Sequence, residues 1–394
     1  MSYAVPLSDV MTSREILVSA VMPCLNEENT LGLCIAKIQR AFDEMGIAGE
    51  VVVADNGSTD RSVDIAESHG ARVVHERRKG YGSALLAGIS TARGRIVIMA
   101  DADDSYDWAA LGDFVRKIDE GYDLVMGNRF KGGIEPGAMP PLHRYLGNPV
   151  LSMLARVMYR IPINDFHCGM RAFTRESFDR MNVRTAGMEF ATEMVICASH
   201  AGLRIAEIPT RLYPDKRDRP PHLRSFRDGW RHLRFMLTYA PDWLYLVPGG
   251  ILSLLGIVGM TMLASGPVVI SKINLGIHFL ALASLFTLLG ANVIGFGILA
   301  RLIGARRNPI ASDSSIGRLL SWFSLERGLV IGGLFVAAGL IVDGWILTEW
   351  IMRGFGDMAG TVHVAFVATT AVLLGVNALF ASFLFNMLRE EYLA

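Results

Sequence analysis

Three carboxylates stand close together in one short stretch of the chain, at Asp101, Asp103 and Asp104. The run from Ile96 to Ala100 directly before them is apolar, which is typical of a buried strand in a parallel sheet. Open α/β sheets bind ligands beyond the carboxyl ends of their strands, and clustered carboxylates favour a cation between them. Oxygen ligands suit Mg²⁺ or Mn²⁺, which keep several waters and bridge to substrate phosphates. Alternatively, these acids form a solvated turn that caps a helix starting near Asp107.

The alternation of strands and helices along the first half of the chain predicts the sheet that would position these acids. Strands are predicted at Ile16–Met22, Glu50–Asp55 and Arg72–His75, and a helix is predicted at Asn29–Met45. Strands separated by such helices indicate a parallel, doubly wound α/β sheet. This soluble α/β pattern ends near residue 222.

Two glycines, Gly80 and Gly82, open the helix that follows the third strand. The Gly-x-Gly-x-x-Gly fingerprint of dinucleotide-binding proteins needs a third glycine at position 85, which is a leucine. A dinucleotide site of that kind is therefore rejected. Two explanations stay open: the backbone closely approaches a nucleotide, or the helix packs closely against a neighbour.

Composition limits the function classes. Lysines and arginines balance aspartates and glutamates at 38 each, which argues against a nucleic-acid-binding protein. The four cysteines, Cys24, Cys34, Cys168 and Cys197, form no Cys-x-x-Cys pair and are predicted to be reduced thiols of a cytosolic domain. His167 beside Cys168 has no partners at metal-binding spacing, so both are predicted to be packing residues. The first ten residues lack the pattern of a signal peptide, which favours a cytosolic catalytic half.

A basic amphipathic helix is predicted between the α/β region and the apolar remainder of the chain. It follows a charged, proline-interrupted segment at 213–224 that is predicted to be a loop. Its apolar residues recur every three or four positions: Leu223, Phe226, Trp230, Leu233 and Leu237. A neighbouring stripe consists of Arg224, Arg227, Arg231 and Arg234. This pattern indicates a helix that lies in a membrane interface; the alternative is a solvated arginine face on an ordinary domain helix.

Four apolar stretches follow, each long enough for a ~30 Å hydrocarbon core that takes about 20 helical residues. They are Leu244–Ala264, Leu275–Leu299, Leu329–Met352 and Val362–Leu388. The connection after the second stretch is rich in arginine: Arg301, Arg306, Arg307, Arg318 and Arg327. The other two connections carry only Lys272 and Arg353, so the positive-inside rule predicts that the arginine-rich connection and both termini are cytosolic. Asp343 in the third span is expected to face other helices or water.

These motifs together resemble the family 2 glycosyltransferases, which have the GT-A fold. The residues that carry the resemblance are Val21-Met-Pro23-x-x-Asn26-Glu27, Val53-Ala-Asp55-Asn-Gly57-Ser58-x-Asp60, Lys79-Gly-x-Gly82-x-Ala84 and Asp101-Ala-Asp103. The next segments are similar to those of polyprenyl-phosphate or dolichyl-phosphate hexose synthases: Gly127-Asn-Arg129-Phe-x-Gly-Gly133, Arg144-x-x-x-Asn148 and Asp165-x-x-Cys-Gly169-Met-Arg171-Ala-Phe. The resemblance covers residues ~15 to ~240, and the four-span region matches in layout only.

We therefore predict three parts: a GT-A domain with a mostly parallel sheet over residues 1–222, an interface helix over 223–241, and an all-α transmembrane domain of four helices over 242–394. The resemblance implies a set of residues that bind the nucleotide sugar: Pro23, Asn26, Glu27, Asp55, Gly57, Lys79, Gly80, Asp101 and Ala102. It also implies that Asp101 faces the ribose and the metal, and that Asp103 ligates Mg²⁺ or Mn²⁺ at the sugar diphosphate.

The acceptor implied by the resemblance is a polyprenyl or dolichyl phosphate, and four residues match its phosphate site: Arg129, Arg144, Asn148 and Arg171. The alternative for Arg129 and Arg144 is a surface arginine that pairs with a nearby acid. Asp165 lines the site as a base, as a residue that orients the sugar, or as a brace for Arg171. The catalytic set is Asp101, Asp103, Arg129, Arg144 and Asp165.

One departure from the family concerns the metal site. Several relatives carry Leu-Gln after the second aspartate, with the glutamine assisting the metal, whereas Asp104-Ser105 stand there in this chain. The complete ligand set is therefore open.

The predicted function is inverting, metal-dependent transfer of a hexose, from UDP-glucose or GDP-mannose, to the lipid phosphate at the cytosolic membrane face. A different sugar or lipid acceptor and a non-catalytic membrane scaffold are the alternatives, and a homo-oligomer is left open. A processive polysaccharide synthase is disfavoured because its Gln-x-x-Arg-Trp motif needs a glutamine, and the only one here is Gln39 in the first helix.

Overall fold

The computed structural model describes residues 16–216, 225–307 and 324–393. The chain forms two compact units, Met1–Met236 and Leu237–Ala394. The predicted division at 222/223 and 241/242 stays a prediction. The predictions for the N-terminal ten residues and for Arg224 and Arg318 fall outside the described residues, as does most of the predicted loop at 213–224.

The first unit is an α/β structure whose strands are short and mostly buried. The strands are β1 Val18–Cys24, β2 Gly49–Asp55, β3 Arg72–His75, β4 Ile96–Met99, β5 Leu124–Asn128, β6 Arg171–Thr174 and β7 Ile205–Pro209. The helices are α1 Leu31–Met45, α2 Ser62–Ser68, α3 Tyr81–Thr91, α4 Leu111–Asp119, α5 Arg129–Gly132, α6 Asn148–Tyr159, α7 Arg175–Met181, α8 Phe190–His200 and α9 Ser225–Tyr239. The predicted strands and first helix are confirmed to within about two residues.

The strands form one sheet in the order β3-β2-β1-β4-β6-β5-β7. The predicted parallel sheet is confirmed for every neighbouring pair except those of β6, which runs antiparallel to both β4 and β5. Because β6 runs the opposite way, its first residue, Arg171, pairs with Met99 and Met126 near the carboxyl ends of their strands. The ends of β1, β2, β4 and β5 and the start of β6 therefore share one edge of the sheet.

Apolar side chains cover both faces of this sheet, as expected for strands that read as continuous apolar runs. On one face α1 and α4 pack against the strands, with Phe114 fully buried. On the other face α3 and α8 do so, with Phe190 fully buried. Truncating such a phenylalanine costs about 3–5 kcal/mol, so these layers hold the sheet edge rigidly.

The second unit consists of long apolar helices and one small hairpin. Its elements are α10 Val247–Leu263, β8 Val268–Ile270, β9 Ile273–Leu275, α11 Ile277–Arg307, α12 Leu325–Met352 and α13 Val362–Leu393. Among the described residues, four helical segments are long and apolar enough to cross a membrane: Asp242–Leu263, Ile277–Gly304, Leu325–Met352 and Val362–Arg389. The four predicted spans are confirmed in this sense, and the chain is a membrane protein.

Candidate active site

The pair Asp101 and Asp103 lies directly beyond the end of β4, at the shared edge of the sheet. The hydroxyl of Tyr81, a half-buried residue, interacts with the carboxylate of Asp101. Burial first, and then the negative charge of Asp101, raises the pKa of Tyr81 well above its usual value, so the phenol stays protonated. Gly169 lies against the same carboxylate, since a Cβ there would come within 3.1 Å of Asp101 Oδ2.

Ser105 fixes the orientation of Asp103. Its backbone N–H and its hydroxyl both donate to Asp103 Oδ1, at 3.0 and 2.5 Å. The serine that replaces the glutamine of several relatives therefore holds a carboxylate in place. Hydrogen-bonded support of this kind orients a metal ligand and is typical of the residues around metal sites.

Asp104 takes no part in this pair. Its side chain is 1% exposed and forms ion pairs with Lys37 at 2.5 Å and Lys216 at 2.7 Å. Among the described residues 16–216, 225–307 and 324–393, no group of three or more His, Cys, Asp and Glu side chains is placed to hold a metal ion. Two carboxylates nevertheless fit Mg²⁺ or Mn²⁺, because these ions complete their shell with water and substrate phosphate oxygens.

The loops after β1 and β2 are tied together into one surface. Asn26 has a positive φ of 58°, and its Oδ1 accepts a hydrogen bond of 2.7 Å from Thr59 N. Its own N–H donates to the Ser58 hydroxyl, and Glu27 N donates to the Ser62 hydroxyl. Pro23 is the second-last residue of β1, directly before this surface.

Asp55 ends β2 and shapes the turn beyond it. Its carboxylate accepts hydrogen bonds from Ser58 N at 2.9 Å, Gly57 N at 3.2 Å and His75 Nδ1 at 3.2 Å. Burial alone would raise the pKa of Asp55, but these hydrogen bonds outweigh it and lower the pKa below its usual value. The carboxylate is therefore ionised at neutral pH. Gly57 has a φ of 86°, a conformation that favours glycine.

The segment Lys79–Gly80 also lies on this turn. Lys79 Nζ donates to the Asn56 carbonyl at 2.7 Å, and Gly80 N donates to Asn56 Oδ1 at 2.8 Å. A Cβ at Gly80 would overlap the carbonyl oxygen of Ala186, and one at Gly82 would overlap that of Thr185. Close packing therefore accounts for both glycines, the second of the two explanations left open above. Ala102 is held by its own carbonyl, which accepts a 2.7 Å hydrogen bond from the Thr30 hydroxyl.

Arg129 is the first residue after β5 and forms a bidentate ion pair with Asp165. Arg129 Nε lies 2.7 Å from Asp165 Oδ2, and Nη2 lies 2.8 Å from Oδ1. The backbone N–H of Arg129 donates to the same carboxylate at 2.9 Å. Burial alone would lower the pKa of Arg129, but the charge and hydrogen bonds of Asp165 together with Tyr106 and Cys168 outweigh it and raise the pKa above its usual value. Both prongs leave from one edge of the guanidinium, so the edge with Nη1 is directed elsewhere.

Glu207 on β7 supports this ion pair from behind. Its carboxylate accepts hydrogen bonds from the backbone of Asn164 and Asp165, at 2.7 and 2.8 Å, and from the Asn128 amide at 3.0 Å. Glu207 therefore links the turn at Asp165 to Asn128, the last residue of β5, which directly precedes Arg129. Because Glu207 is 42 residues from Asp165 in the chain, no local pattern singles it out.

Arg171 occupies a different environment from the one predicted. It is fully buried, and its guanidinium donates to the carbonyls of Cys168 at 2.9 Å, Phe166 at 3.2 Å and Ala191. It braces the loop before β6, and acceptor binding by Arg171 stays a prediction that this conformation does not support. The brace predicted from Asp165 to Arg171 is replaced by the pair of Asp165 with Arg129.

Cys168 is buried in the same loop, and His167 beside it is half-buried. Burial, and then the neighbouring His232, lower the pKa of His167 well below its usual value, so the ring is neutral at pH 7. Burial raises the pKa of Cys168 to about 12, which makes its thiol a poor nucleophile. Both residues have the environment expected of packing residues. All four cysteines are free and buried.

Arg144 and Asn148 lie at the start of the helical stretch that contains α6. Arg144 is half-exposed, with Nη1 3.4 Å from the Ile134 carbonyl and its guanidinium over the ring of Tyr145. Asn148 is also half-exposed and donates to the Met139 sulfur at 3.4 Å. These contacts leave Arg144 close to solvent, unlike Arg129.

Tyr106 links the aspartate side of the site to the arginine side. Its hydroxyl accepts a 2.8 Å hydrogen bond from Gly169 N. Burial raises its pKa most; the charge of Asp101 raises it further, and the charge of Arg129 opposes that increase. Gly169 also lies against Asp101 Oδ2, so the Tyr106 hydroxyl and the Asp101 carboxylate lie close together. Sequence reasoning missed Tyr81, Tyr106 and Glu207, since only the folded sheet brings them to this edge.

Two regions of the chain match families of known proteins. Residues 19–181 match glycosyl transferase family 2, and residues 298–389 match the glycosyltransferase family 2 C-terminal transmembrane region. The first region contains the Asp101 and Asp103 pair and Arg129, and the second contains the last two spans.

Curated relatives agree with this match. The low-salt glycan biosynthesis hexosyltransferase Agl6 of Haloferax volcanii is 39% identical over 94% of this chain and 89% of that protein. A dolichyl-phosphate hexose transferase of the same organism is 36% identical over 48% of this chain and 80% of that protein. An undecaprenyl-phosphate 4-deoxy-4-formamido-L-arabinose transferase of Salmonella paratyphi B is 26% identical over 74% of this chain and 90% of that protein.

A solved structure gives a more distant likeness. Glucosyl-3-phosphoglycerate synthase from Mycobacterium tuberculosis, in complex with Mn²⁺, uridine diphosphate and phosphoglyceric acid, is 23% identical over 57% of this chain and 76% of that chain, with a TM-score of 0.43. The sequence matches, the mostly parallel GT-A sheet and the four apolar helices lead to one assignment. This chain belongs to glycosyltransferase family 2 and is a membrane-embedded glycosyltransferase.

Proposed function

We propose that this protein transfers a hexose from a nucleotide sugar, UDP-glucose or GDP-mannose, to a polyprenyl or dolichyl phosphate, with inversion at the anomeric carbon. UDP-glucose is slightly favoured by the resemblance. The observation that carries the proposal is Arg129, held in a fixed orientation by Asp165 at the same edge of the sheet as Asp101 and Asp103. The relatives that act on dolichyl and undecaprenyl phosphates support the lipid acceptor.

On the donor side, Asp101 and Asp103 would hold Mg²⁺ or Mn²⁺. When bound, this ion neutralises the diphosphate that leaves from the sugar. The loops after β1 and β2, with Asp55, Glu27 and Lys79, would hold the nucleoside. Their mutual hydrogen bonds keep this surface in place before the donor arrives, which lowers the ordering cost of binding.

On the acceptor side, the phosphate needs little activation. Its second pKa is near ~6, so it is largely dianionic at pH 7. One of its oxygens attacks the anomeric carbon, the bond from that carbon to the diphosphate breaks, and the nucleoside diphosphate leaves with the electron pair. Arg129 would bind the incoming phosphate through the guanidinium edge that Asp165 leaves open, and Arg144 would bind it from the solvent side.

Asp165 is a positioning residue in this proposal. Both of its oxygens accept hydrogen bonds from Arg129, and its side chain is fully buried. A carboxylate held in this way fixes the guanidinium and is poorly placed to take a proton. The acceptor, already ionised, has no proton that must be removed. Positioning of Arg129 is none of the three roles left open for Asp165; it is closest to the brace, with Arg129 in the place of Arg171.

The catalytic unit is proposed to lie on the cytosolic face. The arginine-rich connection after the second span supports this orientation by the positive-inside rule. The predicted basic helix is present as α9, which carries Arg227, Arg231 and Arg234 and ends three residues before the first span begins at Asp242. By chain connectivity its last turn lies close to the membrane.

The helical stretch containing α6 offers a second surface for the membrane. Exposed apolar residues recur along one face at spacings of four, four, three and four: Leu142, Leu146, Val150, Met153 and Val157. This surface is joined to α9, because the Tyr159 hydroxyl donates to the Met236 carbonyl at 2.6 Å. No acidic residue occurs between Glu135 and Asp165, which suits an anionic leaflet. We call these five residues the apolar face of α6.

Replacing Met153 and Val157 on this face by glutamate should lower transfer to a long polyprenyl phosphate in vesicles about tenfold, which corresponds to about 1.4 kcal/mol. Full burial of such side chains contributes about 1.5–3 kcal/mol each, but only part of it should be lost because the four spans still hold the protein in the membrane. Transfer to a short, water-soluble prenyl phosphate should stay within about twofold. Leu33→Glu on α1 is the matched control, since Leu33 is a similarly exposed apolar residue of the same unit. Equal losses with both acceptors would contradict a membrane role for this face.

The proposed function is tested with the full-length protein in lipid vesicles, a labelled nucleotide sugar and a polyprenyl phosphate. The expected product is a lipid-linked monosaccharide, released by mild acid as a single sugar. A polymer would instead indicate a polysaccharide synthase. If no product forms with any donor, the proposed function is wrong. Thermal stabilisation of the purified protein by each donor identifies the donor independently, because a ligand present at 100 times its Kd adds about 2.7 kcal/mol.

A further inference from the structure

A buried carboxylate held by two lysines lies beside the proposed metal ligands. Asp104 follows Asp103 in the chain, and its side chain is 1% exposed. Lys37 Nζ is 2.5 Å from Asp104 Oδ1, and Lys216 Nζ is 2.7 Å from Asp104 Oδ2. Each carboxylate oxygen therefore has its own ammonium partner. We call these three residues the lysine clasp.

The two lysines come from distant parts of the first unit. Lys37 lies on α1, whereas Lys216 lies in the segment after β7. This segment runs beside the loop that carries Asp101, Asp103 and Asp104, which we call the aspartate loop. In that segment Tyr213 N donates to the Ser105 carbonyl at 2.9 Å, and Lys216 N donates to the Asp103 carbonyl at 3.4 Å. Tyr106 and Leu212 pair in antiparallel fashion. The ion pair of Lys216 with Asp104 therefore lies at the end of a short stretch of backbone pairing between this segment and the aspartate loop.

The backbone at Asp104 also requires this support. Its φ is 60°, in the left-handed region that non-glycine residues rarely adopt. This turn sets the direction of the chain between Asp103 and Ser105, whose N–H and hydroxyl hold the Asp103 carboxylate. An ion pair on each oxygen of Asp104 keeps the residue in this conformation, so the clasp and the orientation of Asp103 are coupled.

Charge gives the clasp a second consequence. Without the lysines, Asp101, Asp103 and Asp104 carry three formal negative charges, and a divalent cation would leave one that repels an anionic donor. With Lys37 and Lys216 the cluster carries one negative charge, and the same cation makes it positive. The two lysines thus change the sign of the field that a diphosphate meets.

We propose that the lysine clasp is a positioning and charge-balancing element of the donor site, in which Lys37 and Lys216 outweigh the charge of Asp104 and hold the aspartate loop for diphosphate binding. This inference rests on the proposed function, because it takes the donor to be a nucleotide sugar. It assigns Asp104 a role that does not involve metal ligation, and it makes Lys216, whose side chain is 60% exposed, a determinant of donor affinity.

The test is a double-mutant cycle on the full-length protein in detergent, with calorimetric binding of uridine and guanosine diphosphates in the presence of Mn²⁺. Lys216→Met should weaken diphosphate binding about tenfold, because Asp104 then retains one partner and the cluster gains a negative charge. Asp104→Asn together with Lys216→Met restores the charge balance and should recover affinity to within about threefold of the parent protein. Lys216→Arg should bind like the parent.

The matched control is the exposed pair Lys117 and Glu120, 2.5 Å apart on and beyond α4. Lys117→Met and Glu120→Gln, alone or combined, should leave diphosphate affinity unchanged. Unchanged affinity in Lys216→Met, or equal losses in the single and the double variant, would overturn the clasp. If the parent protein binds neither diphosphate, the proposed function itself fails. Thermal unfolding of each variant separates lost folding from lost binding. If Lys216→Met does not fold, Asp104→Asn alone decides: it removes one negative charge from the cluster and should bind the diphosphates at least as tightly as the parent, whereas a tenfold loss would contradict the charge balance.

Discussion

Replacing Asp103 by asparagine is expected to reduce hexose transfer by at least about 100-fold, the scale of losing one preorganised charge at a leaving group. The amide keeps the shape of the side chain and can still accept a hydrogen bond from Ser105, so the loop should keep its conformation. It removes one of two carboxylates in a site where the described residues supply no third acidic, histidine or cysteine ligand. The remaining aspartate would hold a divalent cation weakly.

Two measurements decide this prediction. Transfer is followed by product formation, and Mn²⁺ binding is followed by paramagnetic resonance without any substrate. Asp107→Asn is the matched control: Asp107 lies four residues further on and caps a short helical turn through Ala109 N, a task that asparagine performs nearly as well. Near-normal transfer by the Asp103 variant, or full activity of the parent protein in excess chelator, would contradict metal-assisted departure of the diphosphate.

The grouping of the residues proposed to bind the donor could be predicted from sequence, because they follow strands that local patterns reveal. The apolar run before Asp101 marks β4, and the turn chemistry after Asp55 marks the end of β2. In a parallel sheet the ends of such strands must meet at one edge, so the amino-acid sequence alone is enough to group the residues that follow them. The four spans could be predicted for a similar reason, since length and apolar character are local properties.

The acceptor side depends on contacts that no local pattern contains. Strand β6 inserts antiparallel between β4 and β5, which buries Arg171 and turns a predicted phosphate ligand into a brace for three carbonyls. Asp165 pairs with Arg129 across 36 residues of chain. Asp104 is held by Lys216 across 112 residues. A motif shows which residue types are present, whereas burial and partner choice follow from the path of the chain through the sheet.

The second large effect is expected at Arg129. Arg129→Lys keeps the positive charge but loses the planar fork that spans both oxygens of Asp165, so the ammonium can serve only one partner well. We expect transfer to lipid phosphate to fall about 100-fold, as for the loss of one charge-assisted contact in a dry site. Binding of the nucleoside diphosphate should change little. The exposed pair of Arg95 with Asp119 provides the same exchange as a control, and Arg95→Lys should have no effect.

Asp165→Asn separates positioning from general base catalysis at the same pair. Asparagine retains one oxygen acceptor for Arg129 and removes the charge that fixes the fork. If Asp165 only positions Arg129, acceptor KM should rise about tenfold or more while kcat at saturating acceptor stays within about threefold, because the ionised phosphate needs no base. A base would show the reverse pattern, with kcat lost and KM retained.

If Arg129→Lys abolishes diphosphate binding while the thermal transition is preserved, Arg129 belongs to the nucleotide site and the acceptor assignment is wrong.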